Sequence, residues 1–161
     1  MSINRKKTKG FLLIEVIVGV SILAFCLLGI ISVGQGFLRL SFQSFQGSQA
    51  NFLLEEGAEV ARALRDTSWN NISGLTAGTK YYLEYDNGLN TWATTTAVSQ
   101  IDHVFYRYIT VSDVNRDDAT GDILTSGGTL DEGTRKITVN VSWLASTGTS
   151  TKTAMVYLAD I

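Results

Sequence analysis

Proline occurs nowhere in the 161 residues, and cysteine and histidine occur once each. Without proline, a bend in a long helix has to come from glycine, here Gly29, Gly34 or Gly36. A single cysteine excludes a disulfide within the chain, so a folded domain is held by packing alone. That residue, Cys26, lies in an apolar run and reads as a small apolar filler. The lone histidine, His103, has no identifiable serine or cysteine partner. Neither a phosphate-cradling glycine loop nor a metalloprotease motif is present, and the chain reads as a non-enzyme. Charge is sparse: 13 Lys and Arg stand against 15 Asp and Glu, for a net charge of −2. No basic stripe interleaves with aromatics, so no nucleic-acid partner is expected.

What the chain has in quantity is one apolar run. Residues 5–34 open with Arg5, Lys6, Lys7 and Lys9, then Gly10, then two dozen apolar or small residues interrupted by a single charge, Glu15. At a helical rise of about 1.5 Å per residue the run can cross a hydrocarbon core of about 30 Å. The basic flank would keep the N-terminus in the cytoplasm. A secretory signal has an apolar core of only about 7–15 residues, and this run is nearly twice that with no A-x-A cut behind it. The Leu23-Ala24-Phe25-Cys26 sequence places a bulky Phe where a lipoprotein signal needs a small residue. A plain anchor explains length and flank but leaves Glu15 without a reason, because a charge near the centre of a span costs about 2.5–3.5 kcal/mol, less toward its ends.

The Gly10-Phe11-Leu12-Leu13-Ile14-Glu15 sequence, with its basic leader and apolar continuation, resembles the class III leader of type IV pilins and pseudopilins. The resemblance implies removal of residues 1–10 by a prepilin peptidase, which also methylates the new amine on Phe11. It further implies a structural subunit of a pilus or a type II secretion pseudopilus, polymerised through its N-terminal helix. The partners would be other pilin subunits, the processing enzyme, the assembly machinery and the membrane. Such a subunit waits in the cytoplasmic membrane, N-terminus inside, and then joins a surface pilus or an extracytoplasmic pseudopilus. Cleavage would expose a cationic amine on Phe11, which Glu15 of a neighbouring copy can neutralise, so that two desolvated charges offset each other. The absence of a cysteine pair departs from many Gram-negative major pilins. With the lack of proline in the span, the Leu12-Leu13 pair and Leu27-Leu28-Gly29, that absence makes the chain resemble the minor-pilin or type II secretion pseudopilin branch. Loss of the leader would remove four of the 13 basic residues, leaving nine against 15 acids and a charge of −6 before the new amine is counted.

The expected organisation is a leader at 1–10, a membrane or filament-core helix at 11–34, an amphipathic continuation at 35–67 and a globular sheet domain at 68–161. About 95 residues in the last segment suffice for one small domain. From Leu38 to Leu64, helical spacing places Leu38, Phe42, Phe45, Phe52, Leu53, Val60, Ala63 and Leu64 on one face. Leu40, Leu54, Ala58 and Ala61 form a smaller stripe opposite. Glu59–Arg62 and Arg62–Asp66 are favourable helical ion pairs, and Gly57 is a weak point. The helix is expected to end near Asp66–Ser68, with Trp69, Ile72 and Leu75 of the following loop folded onto the core.

Strands are expected at 80–85, 103–112, 134–144 and 152–159, with Trp92 as a possible further hairpin arm and a turn at 146–150. The fold class is therefore α+β: one long N-terminal helix packed on an antiparallel meander of about four strands, the architecture the resemblance also implies. The segment 113–133 reads as a polar loop. Within it, Asp113, Asn115 and Asp117 match the opening of a calcium loop, with Asp122 a further oxygen donor. Asp118 stands where the turn glycine belongs and no closing Glu follows, so a solvated turn is the competing reading and Ca2+ the only cofactor considered. A second functional reading is a membrane-anchored or pilus-borne adhesin, binding through the wet sheet face or that loop. Exposed aromatics on the face would favour it.

Overall fold

The computed structural model describes residues 9–145 and 148–161. The leader residues 1–8, the side chain of Phe11 and the first two residues of the expected 146–150 turn lie outside the described residues. Helix α1 spans Lys9–Thr67, 59 residues, and continues through Gly29, Gly34 and Gly36. The chain divides into two compact units, one ending at Phe45 and one running from Gln46 to Ile161.

In the first unit the large apolar side chains from Leu13 to Phe45 are exposed around the whole helix circumference. The best 18-residue window has a mean hydropathy of 2.8, long and apolar enough to cross a membrane, a property anchors share with signal sequences. Its serines are satisfied internally: Ser21 Oγ donates to Ile17 O at 2.7 Å and Ser32 Oγ to Leu28 O at 2.9 Å. Hydroxyls bonded back to their own helix need no water, as an apolar surrounding requires.

The second unit places the end of α1 and a short helix α2 (Asn70–Ser73) against a sheet of six antiparallel strands. These are β1 (Tyr81–Asp86), β2 (Thr91–Thr95), β3 (Phe105–Arg116), β4 (Ile123–Leu124), β5 (Thr129–Ala145) and β6 (Gly148–Ala159). Their order is β2-β1-β3-β5-β6, with β4 paired to the end of β3. A four-strand meander is therefore corrected twice. The Thr-rich arm around Trp92 is a true strand, and β1 lies between β2 and β3, so the chain leaving β2 crosses back past β1. The segment read as a loop at 113–133 is largely sheet: β3 extends to Arg116, β4 lies inside it, and β5 begins at Thr129. Alternation hid this because a bulge opposite Asp113/Val114 breaks the register between β3 and β5. His103, expected to open the third strand, instead sits in the preceding turn with a left-handed backbone, φ 56°, next to Asp102 at φ 52°.

Alternate residues of β3 and β5 form the inner face. Phe105, Ile109 and Val111 lie beside Ile137, Val139, Val141 and Trp143, all buried. Against them α1 sets Ala50, Leu54, Gly57, Ala61 and Leu64, spaced 4, 3, 4 and 3, with Val60 beside them. This face lies roughly 90° around the helix from the stripe expected from the aromatics, at 100° per residue. Phe42, Phe45 and Phe52 are exposed, Phe52 by 70%. Small residues carry the contact because the helix backbone comes close to the sheet. A Cβ on Gly57 would stand 2.6 Å from Val139 Cγ1 and 3.3 Å from Arg107 Cδ. Gly57 is a closest-approach point rather than a weak one.

The helix ends where expected. The Leu64 carbonyl accepts from Ser68 N at 3.2 Å and from Asn71 Nδ2 at 3.0 Å, which closes the last turn, and Arg65 suits the negative end of the helix dipole. Ile72 is fully buried, while Trp69 and Leu75 pack on the core in part. Arg62 pairs with Glu59 as expected, but Asp66 pairs with its neighbour Arg65.

Gly57→Ala should gain about 1 kcal/mol of helix propensity and lose more, about 1–3 kcal/mol, to overpacking against a side chain with nowhere to move. Thermal unfolding of the full chain in detergent should show a lower midpoint for Gly57→Ala than for the parent. An unchanged or higher midpoint would refute the close approach.

Candidate functional site

Two regions hold the residues singled out in the sequence. The first is the head of α1. Gly10 lies within the helix, and Glu15 is exposed on it among the exposed side chains of Leu13, Ile14, Val16 and Ile17. Along the helix backbone Glu15 comes about one turn after Phe11. Cys26 is a free, exposed thiol farther along the same helix.

The second region is the far end of the sheet. Asp113 and Asn115 lie on β3 rather than in a loop, and the four residues have separate partners. Asp113 pairs with Arg135 at 3.2 Å, directly opposite on β5. Asn115 Nδ2 donates to Gly127 O at 2.9 Å. Asp117 accepts from the backbone N–H groups of Ala119 and Thr120 at 2.8 and 3.0 Å, forming an Asx turn. The carbonyl of Asp122 accepts from Asp117 N at 2.9 Å. Along an extended strand, residues 113 and 117 are about 13 Å apart. Among the described residues no group of three His, Cys, Asp or Glu side chains is gathered as metal ligands would be.

What organises this end is Arg116, which sequence reasoning passed over. Its Nε donates to Asp131 Oδ2 at 2.6 Å, its Nη1 to Gly121 O at 2.8 Å and its Nη2 to Thr134 Oγ1 at 3.3 Å. One guanidinium thus ties the 117–122 turn to the bulged segment of β5. Asp131 in turn accepts from Gly133 N at 3.0 Å. Two further cations were missed because they face inward. The Arg107 side chain is buried, pairs through Nη1 with Glu56 Oε2 and lies 5.4 Å from the Trp92 ring. Lys152 Nζ donates to Gly47 O at 2.9 Å and Asn51 Oδ1 at 2.7 Å. A cation at an inward position of a clean alternating strand was the available signal for Arg107.

With the geometry established, the architecture can be classed: a long apolar N-terminal helix with its C-terminal part on an antiparallel sheet is pilin-like. No family model, no curated protein and no solved structure matches the chain.

The hydrogen bond from Arg116, followed by that from Thr134, holds the Asp131 carboxyl below its ordinary value of 3.8. The backbone N–H of Ala119, then that of Thr120, does the same for Asp117. A carboxyl depressed on folding contributes stability that is complete above its unfolded value and is lost as pH falls through the folded one. The stability of this end of the sheet should therefore fall as pH drops below about 3.8, the ordinary value of both groups. Asp131→Asn should make melting less acid-dependent in that range without abolishing the dependence, because Asp117 remains. Identical acid melting profiles for Asp131→Asn and the parent would refute the assignment.

Proposed function

We propose that the chain is a pilin-like filament subunit, made with a basic leader, cut after Gly10 and polymerised through its N-terminal helix. The observation that carries the reading is a helix whose apolar side chains are exposed all round from Leu13 to Phe45 and whose single carboxylate over that stretch, Glu15, lies at its head. Such a surface needs either lipid or other helices against it, and a subunit that moves from one to the other uses both. In the membrane, the basic leader holds the N-terminus inside. In the filament, Glu15 of one copy neutralises the Phe11 amine of the next and fixes the axial register. Leu38, Phe42 and Phe45, exposed on the helix beyond a membrane-length segment, extend the apolar contact between copies. The partners are further subunits, a membrane prepilin peptidase with methylating activity, and an assembly machine. In this reading the chain is a substrate of the processing enzyme and catalyses nothing itself.

The intact mass of the protein from its host should correspond to residues 11–161 with one added methyl group. An unprocessed N-terminus, or a cut beyond residue 30, would overturn the proposal. Glu15→Val should enter the membrane as well as the parent while filament incorporation falls by about tenfold or more, the equivalent of roughly 1.4 kcal/mol. Wild-type incorporation of that variant would remove Glu15 from the assembly contact.

A further inference from the structure

Along 106–112, 136–142 and 151–157, two of the three charged residues turn inward. Alternate residues of 106–112, 136–142 and 151–157 face away from α1, and strand registers align them in four cross-strand rows of three. One end row is Tyr106–Ser142–Thr151 and the other Ser112–Lys136–Tyr157. Of these twelve outward positions Lys136 alone is charged, whereas about a quarter to a third of an ordinary soluble surface is charged. Arg107 and Lys152, on the same strands, point to the inner face and are engaged there by Glu56 and by Gly47 and Asn51. The outward grid instead holds six Ser or Thr hydroxyls, the Asn140 amide, three tyrosines and the exposed Met155.

We propose that this outer face binds an uncharged polysaccharide chain. The grid is roughly 20 Å along the strands and 10 Å across them, a flat strip that suits an extended polymer better than a small ligand. Hydroxyls and amides that both donate and accept match a neutral ligand bearing hydroxyls of its own. Tyrosine rings offer a negative π-face to the weakly positive C–H faces of sugar rings. Tyr106 and Tyr157, at opposite ends of the strip, are the stacking rings. Tyr108 has the Lys80 ammonium 4.8 Å from its centroid and the Tyr82 ring 5.8 Å away, so it supports the surface rather than stacking. Beyond Tyr157 the strip runs into a hollow lined by Asp113, Leu124, Lys136 and Tyr157, where a polymer end meets one acceptor and one cationic donor. Nucleic acid or an anionic polymer would need more cations than Lys136 and Lys80. The three tyrosines and Met155 would also suit a protein partner, but six of the twelve positions are Ser or Thr and none is Arg, so hydroxyls dominate the strip. The proposal does not rest on polymerisation and would hold for a monomer in the membrane.

The test uses the full chain in a detergent without a sugar headgroup. Its co-sedimentation with insoluble cellulose, chitin and starch granules is measured beside its retention on anionic alginate. Retention by at least one of the three neutral polymers is expected, with weaker retention on alginate. Tyr106→Ala and Tyr157→Ala should each weaken binding by about tenfold. Thr153→Glu, at an exposed position where folding is not at risk, should do the same while the melting midpoint holds. Retention by none of the neutral polymers, stronger binding to alginate, or binding indifferent to all three substitutions would overturn the proposal. Loss of self-association in Thr153→Glu, without polysaccharide binding in the parent, would reassign the face to a second copy of the chain. Glu15→Val should leave polysaccharide binding unchanged, which separates this outcome from failure of the filament reading.

Discussion

The second unit depends on how near helix α1 can come to the sheet. Ala50, Gly57 and Ala61 present almost no side chain, so the helix backbone settles close to Val139 and its neighbours. Leu54, Val60 and Leu64 then reach down on either side and are buried. Burying large apolar side chains is worth about 1.5–3 kcal/mol each, so this layer outweighs the ionic contacts that flank it. The Arg107–Glu56 pair has one buried and one half-exposed partner, and water screens much of its attraction, toward the upper end of about 1 kcal/mol for surface pairs. Its geometric effect is larger than its energetic one. Arg107 and Lys152 engage the helix at Glu56, Gly47 and Asn51, which fixes how far the helix slides along its seat.

The long helix, its end near Thr67 and the strand at β5 were legible because each rests on local chemistry. Ile137, Val139, Val141 and Trp143 alternate without interruption, and all four are buried. The face of the helix was read only in part: Val60 and Leu64 of the larger stripe and Leu54 and Ala61 of the smaller are buried, while the aromatics that dominate a periodicity count are exposed, because the closest contact is made by glycine and alanine. Helical spacing records where apolar bulk lies. It does not record where a neighbour needs room. The end of the sheet was misread for a different reason: polar strands at 113–116 and 129–134 carry no alternation once a bulge interrupts the ladder, and an arginine hub, invisible to pattern, holds them. The Asp-x-Asn-x-Asp spacing that suggests convergence in a tight loop instead spreads along a strand. Strand order was not accessible locally, since placing β1 between β2 and β3 is a long-range choice.

The first unit poses a different balance. Fourteen large apolar side chains between Leu13 and Val33 are exposed, and removing them from water is worth roughly 20 kcal/mol or more at about 1.5–3 kcal/mol each. One carboxylate in the same segment costs about 2.5–3.5 kcal/mol at the centre of a span and less near its end. Glu15 therefore cannot decide whether such a helix leaves water. It can decide which apolar surroundings the helix prefers. Lipid and packed helices are nearly equivalent for Leu, Ile and Val, so the large apolar term cancels when a helix passes from one to the other. The small polar term does not cancel, because lipid offers a carboxylate no partner and a neighbouring chain with a cationic terminus does. A few kcal/mol placed at one residue can then direct an exchange to which the rest of the helix is indifferent.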